Sequence, residues 1–297
     1  MSAIQRILCA VDFSACSQSA LEQAVAIARC SGAKLVVVHA WQMPSPFDLV
    51  GPAYETPAAI IEPLGLRLAL QDFVLPVAGD TETTIRLVHG ASARHAILSE
   101  VESCLPNLLV IGSHGRGGFD RLMLGSTSYG LLRKASCPVL VVPPGATASQ
   151  GRFRRVLCGM DFSAASVSAF RFAIHCMSAS DADVRLLHSI EMPPELRERQ
   201  IAAAFDVEAV RAAAEAAARQ RLEALWPGDD VSGMQIVSEV AEGPPRTRIL
   251  EVARREHADV IVLGTHGRSA FDRLMFGSNT EAVVREAPCP VLTVRPE

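Results

Sequence analysis

The chain has 297 residues, 49% of them hydrophobic and 20% charged, with a formal net charge of -4 and a sequence pI of about 6.1. That length suffices for two domains of ordinary size, each burying its own core. The acidic balance argues against a bulk nucleic-acid binder, whose contact face would be basic, and no apolar run approaches the roughly 20 residues that a membrane-spanning helix needs.

A short apolar strand is expected over residues 4 to 11. It leads into Asp12-Phe13-Ser14, where Ser14 can cap a helix over 15 to 31 by satisfying orphan backbone N-H groups. The opening carries no basic leader and no small-residue cleavage site, so a cytoplasmic protein is expected. A strand over 34 to 40 precedes a Pro-rich loop from Met43 to Pro57. Then come a helix over 58 to 76, a strand over 84 to 89, a helix over 93 to 104, a strand over 107 to 112, a helix over 126 to 135 and a strand over 138 to 142. Residues 145 to 151, rich in Gly and small polar residues, read as a linker between domains at 1 to 144 and 152 to 297.

The second half repeats the pattern. Strands are expected over 154 to 160, 183 to 188, 234 to 240, 259 to 264 and 290 to 295, with helices over 164 to 179, 195 to 226, 245 to 257 and 278 to 287. The Ala- and Arg-rich stretch from Val207 to Arg221 is a strong helix former, and its charges read as a solvated face. Brief apolar strands alternating with longer amphipathic stretches predict an α/β chain. The expected fold is two tandem doubly wound domains, each a five-stranded parallel sheet of order 3-2-1-4-5 with helices on both faces. Eight scattered cysteines form no C-x-x-C pair and no zinc-spaced cluster, and are expected to be reduced and mostly buried.

The halves repeat in detail. Ile7 to Ser14 reads like Val156 to Ser163, with an offset of 149 residues from Asp12 to Asp161. Gly112 to Ser126 returns as Gly264 to Ser278 with eleven of fifteen positions identical, and both copies space their glycines as G-x2-G-x9-G before Ser. Repetition on this scale indicates duplicated domains rather than a solenoid of short units.

In the order 3-2-1-4-5, strands one and four are neighbours, and ligands sit beyond their carboxyl ends. Asp12 is therefore expected beside Gly112, and Asp161 beside Gly264. Gly112 and Gly115 are expected to let the backbone turn and approach a ligand, while Gly125-Ser126 opens the next helix. Unpaired N-H groups and the positive dipole end of that helix suit a polyphosphate without a lysine. The side chains of Ser126, Thr127 and Ser128, and of Ser278, Asn279 and Thr280, are expected to add hydrogen bonds. The loop is neither a Walker A motif, which ends in G-K-[ST], nor the dinucleotide fingerprint, which follows the first strand. His114 and His266 read as packing or hydrogen-bonding residues, and Asp120-Arg121 and Asp272-Arg273 as local pairs whose arginines have phosphate as an alternative target. No catalytic residue and no metal ligand is assigned.

These residues resemble the universal stress protein family, in its tandem, ATP-binding branch. The resemblance rests on the strand-one aspartates, on His39 and His188 closing strand two, on the doubled glycine spacing, and on Cys-Pro-Val-Leu at 137 to 140 and 289 to 292. It implies adenine and ribose contacts at Asp12, Ala40, Ile111, Gly112 and Gly115, phosphate contacts at Gly125, Ser126 and Thr127, and a nucleotide contact at Arg116. The second site would use Asp161, Ser189, Leu263, Gly264, Gly267, Arg268, Gly277, Ser278 and Asn279. Ala40 and Ser189 stand where the family often has Val, so weaker adenine packing is expected in the second site.

The resemblance further implies ATP as ligand with Mg2+ beside its phosphates, one site per domain, and a stress-response regulatory role exercised through a protein partner. It implies that Val139 to Val142 and Val291 to Val294 pair across the domains as a pseudo-dimer, and that whole chains dimerise. The alternative is a slow ATP hydrolase or nucleotidyl-transfer enzyme of a related adenine-nucleotide hydrolase-like fold. Its S-G-G-x-D-S, H-I-G-H and K-M-S-K-S signatures do not occur in the chain. Turnover beyond slow hydrolysis is not expected, since no lysine faces the transferring phosphate and no residue is clearly placed to activate water.

Overall fold

The computed structural model describes residues 4–41, 58–115, 124–146, 151–191, 206–226, 233–265 and 277–295, with backbone only over 58–63. The first half builds β1 (Arg6–Ala10), α1 (Ala15–Ser31), β2 (Lys34–Trp41), α2 (Ala58–Ala78), β3 (Thr83–His89), α3 (Ala93–Cys104), β4 (Leu108–Gly112), α4 (Ser126–Lys134) and β5 (Val139–Val142). The second builds β6 (Phe153–Gly159), α5 (Ala164–Phe172), a π-helical turn (Ala173–Met177), β7 (Ser178–Ile190), α6 (Val207–Ala224), β8 (Gln235–Glu242), α7 (Pro245–Arg255), β9 (Val260–Gly264), α8 (Ser278–Glu286) and β10 (Val291–Val294). The chain divides into two compact units between Gly151 and Arg152.

Every pairing within each half is parallel. β1 lies between β2 and β4, with β3 beyond β2 and β5 beyond β4. β6 likewise lies between β7 and β9, with β8 and β10 outside them. The predicted order 3-2-1-4-5 is thus realised twice. Helices cover both faces of the central strands, which explains their unbroken apolar character: Ile7, Leu8 and Cys9 of β1 and Leu108 to Val110 of β4 have no exposed surface. The register sets Ala10 opposite Ile111, so Asp12 and the glycine-bearing end of β4 leave the same edge of the sheet.

Local chemistry sets the helix ends. Ser14 caps α1 by accepting from Ser17 N-H at 3.2 Å, and Gly32 closes it in the left-handed conformation at φ 68°. Ser14→Ala should therefore cost about 1 kcal/mol, seen as a lower urea midpoint with an unchanged slope. In α5 the predicted helix over 164 to 179 is corrected. It ends at Phe172, widens into the π turn, and leaves through an extended Ser178 at φ -83°, ψ 149°. Asp181 stands where Gly32 does in the first half, so no glycine is there to make the same left-handed exit. β7 accordingly starts at Ser178, pairing with Phe153 before a register shift.

The predicted helix over 195 to 226 is α6 from Val207, capped by Asp206, which accepts from Ala209 N-H at 2.9 Å. Residues 192–205 lie outside the described residues, as do the Met43 to Pro57 loop and linker residues 147–150. None of the eight cysteines forms a disulfide; Cys30 is exposed, Cys176 half-buried and the others buried. Burial raises the Cys9 and Cys158 thiols far above the usual range and pushes Cys289 up to about 12, with the charge of Asp259 adding to that last shift. Such thiols are inert as nucleophiles. Among the described residues no helix is long and apolar enough to cross a membrane.

Candidate functional site

Each half ends its first strand in the same tight turn. Asp12 Oδ1 accepts from Ser14 N-H at 3.1 Å and from the Ser14 hydroxyl, an Asx-type turn. The residue between them, Phe13, is left-handed at φ 64°. Phe162 repeats this at φ 63°, with Asp161 Oδ1 accepting from Ser163 N-H at 3.0 Å and its hydroxyl at 2.6 Å. A left-handed non-glycine residue costs on the order of 1–3 kcal/mol and persists only when its surroundings hold it.

The surroundings here are aromatic. The Phe13 ring lies 4.5 Å from that of His39 and 5.4 Å, edge-on, from that of Phe73, while His39 Nδ1 is 2.8 Å from the Val11 carbonyl oxygen. In the second half Phe162 lies 4.5 Å from His188, and the Arg221 guanidinium sits 3.9 Å over the Phe162 ring. Arg221 therefore makes a cation-π contact and departs from the solvated face expected of its segment. Sequence reading missed this clamp. Its available signal was a strand joined to a helix cap in three residues, twice, without a glycine.

The three glycines of each loop have different reasons. A β-carbon at Gly112 would lie 2.9 Å from Cys16 Cβ and 3.0 Å from Cys16 C; one at Gly264 would lie 2.7 Å from Ser166 N. These two glycines let α1 and α5 press against the fourth strand, a packing role the sequence reading did not foresee. A β-carbon at Gly115 would lie 2.6 Å from Asp12 Oδ2, so its absence leaves room for the carboxylate. Gly125 is otherwise. Its φ of -59° and ψ of 141° suit any residue, and a β-carbon there would meet no described atom nearer than 3.6 Å. Gly277 matches it at φ -60°, ψ 131° and 3.5 Å.

Gly125 and Gly277 open α4 and α8, and neither helix has a side-chain cap, whereas Ser14, Ser92, Ser163 and Asp206 cap α1, α3, α5 and α6. First-turn N-H groups without a cap carry a positive field able to hold an anion. Ser128 and Thr280 do not add to that field as expected. Their hydroxyls donate inward, to Gly112 O at 2.8 Å and Gly264 O at 3.0 Å, and tie each helix to its fourth strand.

In the first half a cavity of about 590 Å³ brings together Asp12, Ala40, Ile111, Gly112, Gly115, Gly125, Ser126 and Thr127. In the second, Asp161, Ser189, Leu263, Gly264, Gly277, Ser278 and Asn279 line a cavity of about 180 Å³. Arg116, Gly267 and Arg268 lie outside the described residues, as do Asp120, Arg121, His266, Asp272 and Arg273. Ala93 and Ile97 from α3, and Pro245 and Ile249 from α7, also line the cavities. No motif marks them, since they arrive through the packing of a helix on the sheet.

His114 lines the first cavity with Nδ1 2.7 Å from Ser113 Oγ, and its buried Nε2 has no hydrogen-bond partner among the described residues. Burial lowers its pKa below the usual imidazole value, so the ring is neutral at pH 7. The pocket thus combines one carboxylate, an apolar wall and an uncapped helix start, a combination suited to a ligand with hydroxyls, a flat apolar part and an anionic tail.

The model of the universal stress protein family matches residues 3–143 and again 152–295. A universal stress protein of Mycolicibacterium smegmatis is 29% identical over 301 residues, covering 98% of this chain and 97% of that protein. One from Mycobacterium tuberculosis is 27% identical over 285 residues, covering 93% and 94%. Among solved structures, a universal stress protein from Archaeoglobus fulgidus aligns with a TM-score of 0.66 at 19% identity, covering 98% of both chains, and shares the fold. With both halves matched almost end to end, the chain belongs to the universal stress protein family.

Proposed function

We propose that the chain is an ATP-binding regulatory protein of the stress response, acting in the cytoplasm through a protein partner that distinguishes its nucleotide-bound from its empty state. The observation that carries this is Gly125: neither its backbone angles nor any described neighbour requires glycine, yet a side chain there would enter the mouth of an uncapped helix. A ligand's phosphates supply the missing reason. In this assignment the phosphates meet the first turn of α4 with Ser126 and Thr127, Asp12 accepts from the ribose hydroxyls, and the base lies against Ala40 and Ile111. Mg2+ would come with the phosphates, because among the described residues no group of three or more His, Cys, Asp or Glu is arranged to hold a metal ion.

Saturating ATP should raise the thermal midpoint of the chain, by about 2.7 kcal/mol of added stability at a concentration 100 times Kd. An unchanged midpoint across ATP, ADP and AMP would reject the assignment. Hydrolysis should be slow, as no described side chain brings a positive charge to the phosphates and His114 is a neutral ring already engaged through Nδ1. Fast multiple-turnover phosphate release would replace this proposal with the hydrolase alternative.

A further inference from the structure

We infer that the second cavity is closed to an adenine nucleoside, so that the chain carries one adenine nucleotide, in its first half; the inference rests on the nucleotide assignment above. Many described lining positions of the two cavities correspond, while the counterparts of His114, Gly115 and Leu124 lie outside the described residues, and the phosphate-facing ends agree: Gly277 and Ser278 stand for Gly125 and Ser126, with the same uncapped helix start. The difference lies where the base and ribose would go.

There, Ala10 and Ile111 become Gly159 and Leu263. The leucine, an isomer of isoleucine that branches one carbon further out, occupies the space left by the missing methyl: its Cδ2 lies 2.6 Å from where a Gly159 β-carbon would stand, and Ile249 Cδ1 lies 3.1 Å from it. Both side chains are buried, at 5% and 6% exposure, and so are fixed by packing. The wall also gains bulk, with Met160 for Val11 and Pro245 for Ala93. Ser189, in place of Ala40, donates its hydroxyl to the Gly243 carbonyl just beyond β8.

The volumes follow. At about 590 Å³ the first cavity lies within the range of about 300–1,000 Å³ usual for small-molecule sites, whereas about 180 Å³ falls below it. Leu263 is therefore a specificity-determining residue, acting by exclusion.

Equilibrium dialysis of the full chain against radiolabelled ATP tests this. The native chain should bind one equivalent, Gly125→Val none, and Leu263→Ala, which opens the wall over Gly159, a second. Two equivalents in the native chain, or one surviving in Gly125→Val, would overturn the inference. So would a Leu263→Ala chain with native circular dichroism that still stops at one. A native chain that binds none overturns the nucleotide assignment itself, a separate result.

Discussion

Gly125→Val should abolish ATP binding while leaving the protein folded and about as stable as before. Its β-carbon meets no described protein atom closer than 3.6 Å, and the backbone angles at this position are ordinary for valine. Stability should therefore move by no more than about 0.5 kcal/mol, with a small gain from reduced freedom of the unfolded chain. The added methyls stand at the mouth of α4, where the phosphates are proposed to approach the first-turn N-H groups, and should raise Kd by about 100-fold or more, or about 2.7 kcal/mol. Calorimetric titration alongside thermal denaturation checks both halves of the statement. A variant that binds ATP normally, or one that fails to fold, contradicts it.

Gly112→Ala should do the opposite, although the two glycines share one motif. Its β-carbon would fall 2.9 Å from Cys16 Cβ and 3.0 Å from a backbone carbon of α1, neither of which can rotate away. Overpacking of this kind costs about 1–3 kcal/mol, a fall of several degrees in Tm. Gly264→Ala, facing Ser166 N at 2.7 Å, should behave alike in the second half. A denaturation series over these three glycine variants would separate the fold-bearing from the ligand-facing positions. Equal Tm values for Gly112→Ala and the native chain would refute the packing role.

The sheet order and the pairing of Asp12 with the β4 loop were legible in the sequence because parallel strands covered on both faces read as short apolar runs, and the duplication repeated each signal. The roles of individual glycines were not. A glycine required by a neighbouring helix and one left open for a ligand look the same in a chain of letters, and only the distance to Cys16 tells Gly112 from Gly125. Ser128 failed for a similar reason. A hydroxyl near a helix start suggests a cap or a ligand contact, but its place in the turn directs it to the Gly112 carbonyl. The left-handed Phe13 and Phe162 escaped notice because backbone propensity disfavours them; ring packing on His39 and His188 overrides it.

The π turn after α5 has a practical consequence. It sits at the amino end of β7, whereas Asp161 and the β9 loop stand at the carboxyl ends of their strands. The second half has thus changed its course over residues 173 to 182 without disturbing the register of Val156 to Gly159 against β7. Redesign has the same licence. Insertions, tags or altered lengths belong at the entry side of the strands, where the scaffold has already absorbed one such revision.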